Sequence, residues 1–173
     1  MAEPDADADF REFAAARLER LRRLAFLMCG DTHRAEDAVQ QALARLYSVW
    51  HRRTAHSVDA YVRRIVINAV KSEYRGAWFR RERVTDAPLE RAEADSSAST
   101  ADRMAILSAP ARLPMRQRAA VVLRYWEDRS VDETAEILRC SAGTVKTHSS
   151  RGLERLRGLL SDSFPLHDGK VSA

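Results

Sequence analysis

The sequence predicts an all-α protein of two small helical domains joined by a flexible acidic linker. Three observations predict it. Apolar residues recur at the three-and-four spacing of helices through both halves, and no stretch alternates with period two, so no strand is needed. The charge changes sign along the chain: residues 1–50 hold 7 Lys/Arg and 9 Asp/Glu, residues 51–83 hold 9 and 3, residues 84–108 hold 2 and 5, and residues 109–160 hold 10 and 6. The acidic stretch between the two basic blocks, VTDAPLERAEADSSASTADRMAIL, is poor in large apolar side chains and cannot bury enough surface to hold a fold. The domains are therefore expected at 10–83 and 109–160, the linker at 84–108 with helix already forming near Met104 to Leu107, and a short tail at 161–173.

At 173 residues, two such domains have real but modest cores. No apolar run approaches the roughly 20 residues that span a bilayer, and the acidic start from Glu3 to Asp9 has the wrong sign for a signal peptide, so a cytoplasmic protein without membrane insertion is expected. Cys29 and Cys140 each sit in a helical pattern or its turn, which predicts reduced thiols. The spacing of Cys29, His33 and His51 lacks a second tight ligand pair, so no metal site is expected. No phosphate-binding glycine loop, nucleophile motif or carboxylate pair with a histidine is present; the sequence predicts neither an enzyme nor a cofactor.

In the first helix Phe10, Phe13, Ala14, Leu18, Leu21, Ala25 and Met28 form one apolar stripe, which Gly30 stops. Asp31 or Thr32 caps the second. There Ala35, Val39, Ala42, Leu43, Leu46 and Trp50 face inward, and Glu36, Asp37, Gln40, Gln41 and Arg45 make a polar outer face. A third helix starts after Ser57 with Tyr61, Ile65 and Ala69 as its inward row.

That third helix and its extension interleave Tyr61, Tyr74, Trp78 and Phe79 with Arg63, Arg64, Lys71, Arg75, Arg80, Arg81 and Arg83, with Asn68 in the middle. Aromatic faces among cations suit unpaired nucleic acid: stacking on an exposed base contributes about 1–3 kcal/mol and the cations follow the backbone. Asn68 can bond a base edge through both its amide donor and its carbonyl acceptor.

The most informative stretch is SVDETAEILRCSAGTVKTHSSRGLERLR, Ser130 to Arg157. Ser130 with Glu133 three residues later is a capping box, so a helix begins at Val131, with Val131, Ala135 and Leu138 turned inward. Cys140, Ser141 and Gly143 supply turn chemistry, and Ser141 caps a second helix. On that helix Val145, Ser149, Leu153 and Leu156 share one face, leaving Thr144, Lys146, Thr147, Ser150 and Arg151 outward with Arg155 one turn on. Cations and hydroxyls on the second of two short helices are what a major groove requires, which makes the C-terminal domain a helix-turn-helix.

In this order, LRRLAFLMCGDTHRAEDAVQQALARLYSVW, VDAYVRRIVINAVKSEYR and LPMRQRAAVVLRYWEDRSVDETAEILRCSAGTVKTHSSRGLERLR resemble the conserved regions of the extracytoplasmic-function sigma factors of bacterial RNA polymerase, over about Phe10 to Leu160. The heavy Arg and Ala usage resembles the actinobacterial sigma-E-like subgroup. The resemblance implies that Asp37, Gln40, Gln41 and Arg45 grip the polymerase's largest subunit. It implies that Asn68 lines a pocket for a base flipped from the melted −10 element, with Tyr61 near the point of strand separation. Arg64, Lys71, Tyr74, Arg75, Trp78 and the loop from His51 to His56 would hold the adjoining single strand. Thr144, Lys146, Thr147, Ser150, Arg151 and Arg155 would read the −35 element as duplex, and the linker would thread the RNA-exit path. The implied partners are core RNA polymerase, promoter DNA and, as a further candidate, an anti-sigma factor. The alternative, a stand-alone helix-turn-helix repressor or activator acting as a dimer, leaves the Tyr61 to Arg83 cluster unexplained.

Overall fold

Gly30 ends the first helix because its φ of +71° lies in the left-handed region, where a side chain would be strained. Asp31 immediately restarts the chain: its carboxylate accepts from the Arg34 N–H at 2.8 Å, as an N-cap should. The computed structural model describes residues 6–52, 55–81 and 98–163, less the side chains of 55–57, 76–81, 98, 99 and 163. Helix α1 (Ala6–Cys29) and α2 (Thr32–Tyr47) form an antiparallel pair, and α3 (Ala55–Arg81) lies against both. Helix α4 (Ala98–Ser108) covers the last part of the expected linker, and most of that linker lies outside the described residues. Helix α5 (Met115–Val121) runs into a widened π turn, Val122–Trp126, before α6 (Val131–Leu138) and α7 (Ala142–Ser163). Among the described residues there is no strand, and no helix is long and apolar enough to cross a membrane.

The apolar stripes do what their spacing predicts in α1 and α2. Leu21, Leu24, Ala25, Leu27 and Met28 meet Ala35, Ala38, Val39, Ala42 and Leu46, all of them buried. Phe10 and Phe13 pack edgewise or tilted against Trp50, with ring centroids 5.3 and 5.0 Å away. In α3 the buried set is wider than the expected row. Val58, Val62, Ile65, Val66, Ala69 and Val70 are all buried and Tyr61 sits half-buried at the edge, because α3 is enclosed by α1 and α2 on one side and by α6 on the other.

The C-terminal domain shows the same effect. Ser130 and Glu133 form the capping box, with 3.0 Å from the Glu133 N–H to the Ser130 hydroxyl and 2.7 Å from the Ser130 N–H to the Glu133 carboxylate. The deepest residues of α6 are Thr134 and Ile137; the expected Val131, Ala135 and Leu138 are only half-buried. Both α3 and α7 press on α6, so its most buried line falls between the two contacts. The residue that reverses the chain is Arg139, at φ +52°, and Gly143 lies in the first turn of α7. Gly152 has a separate duty. A Cβ there would stand 2.5 Å from Val121 Cγ2 and 3.2 Å from the Gln117 carbonyl, so α7 and α5 touch backbone to side chain.

The two domains are packed together. Ala119, Val122, Leu123 and Ile137 join the buried cluster of the N-terminal helices, while Ala109, Leu113, Val121 and Leu156 form a smaller cluster of their own. An ion cluster crosses the same seam. Arg63, assigned by its sequence neighbourhood to the basic face, is 2 % exposed and bonds Asp59 at 2.5 Å and Glu127 at 2.9 Å. Arg17 and Arg129 reach Asp59 from outside at 3.2 and 3.4 Å. Burial pushes the Asp59 carboxyl up, but bonds from Arg63 and Arg17 and the charge of Arg129 outweigh it and hold its pKa below the ordinary value. Arg118 makes a second tie: buried, it donates to the carbonyls of Leu113 and, across the seam, Met28.

Two outcomes follow from this packing. Gly152→Ala should lower stability by about 1–2 kcal/mol in a denaturant melt, since overpacking against stiff Val121 exceeds the roughly 1 kcal/mol gained in helix propensity. A carboxyl whose pKa is depressed by folding contributes stability above its unfolded value and loses it as the pH falls. The melting temperature should therefore drop below about pH 4, and Asp59→Asn should lower it at neutral pH while flattening that acid limb.

Candidate nucleic-acid interface

Tyr61, Arg64, Asn68, Lys71 and Arg75 fall on one stripe of α3, opposite its buried residues. Asn68, Lys71 and Arg75 are exposed; Arg64 is half-buried, its guanidinium 5.2 Å from the centroid of the Tyr61 ring. Helix rigidity sets their spacing, and Val62, Val66, Ala69 and Val70 anchor the other side. Tyr74 is not on this stripe. Its hydroxyl donates to the Cys29 carbonyl at 3.4 Å and its ring lies between Arg34 and Arg118, 4.8 and 5.0 Å from the centroid. Trp78 is in the last turns of α3, but its side chain lies outside the described residues, as do Phe79 and Arg83. Of the loop from His51 to His56, His51 and Arg52 form a short 3-10 turn with both side chains exposed.

The second face is α7. Ser141 Oγ accepts from the Thr144 N–H at 3.1 Å and bonds the Thr144 hydroxyl at 2.8 Å, so the helix start and its first polar side chain are held by one residue. Thr147 donates its hydroxyl back to the Gly143 carbonyl at 3.0 Å. Lys146, Thr147, Ser150, Arg151 and Arg155 are exposed, and Val145, Ser149, Gly152 and Leu156 are buried behind them. Of the expected outward set, Lys146, Thr147, Ser150 and Arg151 are exposed, whereas Thr144 is half-buried against Ser141, and on the inward side Gly152 is buried more deeply than Leu153.

The α3 stripe and the start of α7 face each other. They line a cleft of about 400 Å³, to which α3 brings Arg64, Asn68 and Lys71 and the C-terminal domain brings Arg116, Arg139, Thr144 and His148. Apolar Ile67, Met115, Ala119, Ile137 and Leu138 line it too, and among the described residues no carboxylate does. Such a wall favours an anionic, partly flat occupant. Arg116 and Arg139 were not legible as lining this cleft, because their sequence neighbours mark them only as surface positions; His148, within the α7 stretch read from sequence, is half-buried there. Cys140 is half-buried at the same cleft and Cys29 is buried beneath the Asp31 carbonyl that accepts its thiol at 3.2 Å; both are free thiols, and burial pushes that of Cys29 up.

A third polar face is the outside of α2. Asp37, Gln40, Gln41 and Arg45 are all exposed and lie on one side of that helix, with Ala35, Val39 and Leu46 buried on the other.

Comparison with known proteins assigns both halves. Residues 13–80 match the family model of sigma-70 region 2, and residues 103–156 match that of sigma-70 region 4. The chain is 37 % identical over 154 residues to the RNA polymerase sigma-E factor of Streptomyces coelicolor, covering 86 % of this chain and 84 % of that one. It is 35 % identical over 144 residues to the ECF RNA polymerase sigma factor SigM of Mycobacterium tuberculosis, covering 82 % and 71 %. Among solved structures it is similar to the sigma factor RpoE of Bartonella quintana, in a complex with the anti-sigma factor NepR. That similarity has a TM-score of 0.73 at 25 % identity over 88 % of this chain and 97 % of that one.

Asn68, Lys146 and Arg151 are exposed, unlike buried Arg118. Asn68→Ala, Lys146→Ala and Arg151→Ala should each change stability by less than about 0.5 kcal/mol in a thermal melt. Arg118→Ala, which leaves buried carbonyls on both sides of the seam without a donor, should cost about 3 kcal/mol.

Proposed function

This chain belongs to the extracytoplasmic-function sigma factors, and we propose that it binds core RNA polymerase and directs it to promoters by dividing their recognition between α7 and α3. Helix α7 reads the −35 element as duplex; the α3 stripe holds the −10 element as melted non-template strand. The observation that carries this reading is that one chain presents two separate faces of cations and hydrogen-bonding side chains, one on a region 2 helix and one on a region 4 recognition helix.

Each face suits its substrate. Lys146 and Arg151 reach outward with Thr147 and Ser150 between them, the donors and acceptors that phosphates and base edges need in a major groove. On α3, Asn68 offers its amide to a base edge, with Tyr61 and Arg64 placed to receive a base face and Lys71 and Arg75 to follow the backbone. Tyr74 in this arrangement supports the helix from behind. The exposed row Asp37, Gln40, Gln41 and Arg45 on α2 is the polymerase-binding surface. The domains run 10–83 and 109–160, with the acidic linker between them following the RNA-exit path of the polymerase. The protein works in the cytoplasm, where its polymerase and promoters are, and an anti-sigma factor is a fitting antagonist. The stand-alone repressor has no support, since a region 2 match occupies the half it would need for dimerisation.

Transcription with core polymerase on a promoter library tests the assignment. Asp37→Arg should weaken polymerase binding by about tenfold, the loss of one favourable contact and its replacement by a like-charge clash. Asn68→Ala and Tyr61→Ala should bind polymerase normally and form open complexes poorly. Lys146→Ala and Arg151→Ala should each reduce transcription, and at least one should relax preference within the −35 element by about 1–3 kcal/mol. Tight binding of the free protein to palindromic duplex would overturn the reading.

A further inference from the structure

We propose that the cleft between the α3 stripe and the start of α7 is a nucleotide site, which takes one nucleoside di- or triphosphate. The first argument is charge. Arg64 and Lys71 come to the cleft from α3, Arg116 from α5 and Arg139 from the end of α6, with His148 beside them. Among the described residues no carboxylate lines the cleft, and Lys71, Arg116 and Arg139 form no ion pair. Cations brought between helices elsewhere in the chain are treated differently: Arg34 meets Glu73, Arg63 meets Asp59 and Glu127, and Arg129 meets Asp59 and Glu133. Converging cations in a concavity repel one another and concentrate a field that an anion of several charges neutralises.

The second argument is the rest of the lining. At about 400 Å³ the cleft lies at the small end of ligand pockets and admits one nucleotide rather than a run of them. Ile67, Met115, Ile137 and Leu138 give it apolar surface for a flat base, and methionine adapts well to such a face. Asn68 has an amide donor and a carbonyl acceptor for a base edge, and Thr144 a hydroxyl for a phosphate or ribose oxygen. A bare phosphate would leave the apolar part unused, and an uncharged base would leave the cations unpaired. A nucleoside polyphosphate meets both requirements.

Arg139 supplies the third argument. It stands where α6 ends, at φ +52°, in left-handed backbone that glycine or asparagine ordinarily fills. The residue is exposed, so packing does not call for an arginine there, and glycine would serve the turn better. An arginine at that point serves the cleft it lines. Asn68 and Lys71 belong also to the stripe assigned above to the melted −10 strand. Resting on that reading, bound nucleotide and single strand exclude each other.

Calorimetric titration of the full chain in magnesium-free buffer tests the site. ATP or GTP should bind one per chain, and pyrophosphate or the bare nucleosides at least about tenfold more weakly. Arg139→Gly should keep or raise the melting temperature, since glycine suits the left-handed turn, while weakening ATP about tenfold by removing one charge-assisted bond. Arg116→Ala should weaken ATP by a similar factor with its circular dichroism unchanged. Arg157→Ala removes an exposed cation of α7 that does not line the cleft, and should leave the affinity as it is. No saturable binding overturns the site. Equal weakening by all three variants, a general charge effect, overturns it too, as does pyrophosphate bound as tightly as ATP. ATP held equally by wild type and Arg139→Gly, and displaced by a short single-stranded deoxyoligonucleotide, would mean that the nucleotide only imitates a strand on α3, and also overturns the site. Transcription with core polymerase reads the sigma-factor assignment separately. A wild type that binds ATP but fails to initiate sinks that assignment and leaves the cleft site standing.

Discussion

Arg63 is the constraint on which the arrangement of the molecule depends. A guanidinium is charged at every accessible pH, and a buried one is tolerated only where carboxylates complete its bonding. Asp59, one turn earlier on α3, supplies half of that requirement locally, and Glu127, 64 residues along the chain, supplies the rest. Meeting both fixes the C-terminal domain against α3. The π turn over Val122–Trp126 and the salt bridge from Arg129 to Asp59 accompany the placement of Glu127 at that point.

Helix α3 serves three masters at once. Its apolar side builds the core with α1 and α2, Arg63 ties it to the C-terminal domain, and its outer stripe presents Asn68 and Lys71. Arg63 and Arg64 show how narrow the division is. They are adjacent and chemically identical, yet the 100° between them on a helix sends one into the interior and the other to the rim of the exposed polar stripe. A rigid element of this kind keeps the side chains of its outer stripe in register without ordering cost at the moment of binding.

A factor that reads two promoter elements with two tethered modules binds weakly through either alone and strongly when a scaffold holds both at the right spacing.

The elements themselves were legible in the sequence, because they depend on neighbours within a few residues. The stop at Gly30, the caps at Asp31, Ser130 and Ser141, the inward row of α2 and the exposed Lys146, Thr147, Ser150 and Arg151 of α7 all rest on local periodicity and local hydrogen bonds. So did the polar stripe of α3 from Arg64 to Arg75. What local pattern could not reach was decided by contacts between distant segments. Two-sided enclosure shifted the deepest residues of α6 to Thr134 and Ile137 and moved Tyr61 to the edge of α3. Tyr74 lies off the polar stripe, against Arg118 and the Cys29 carbonyl, the close approach of α5 required Gly152, and the turn fell to Arg139 rather than a glycine. The Asp59–Arg63 spacing was visible as an i, i+4 pair, but its burial was not, since it depends on a carboxylate 64 residues away. A helix is written in its own sequence; which of its charges is buried is settled only by the element that comes to lie across it.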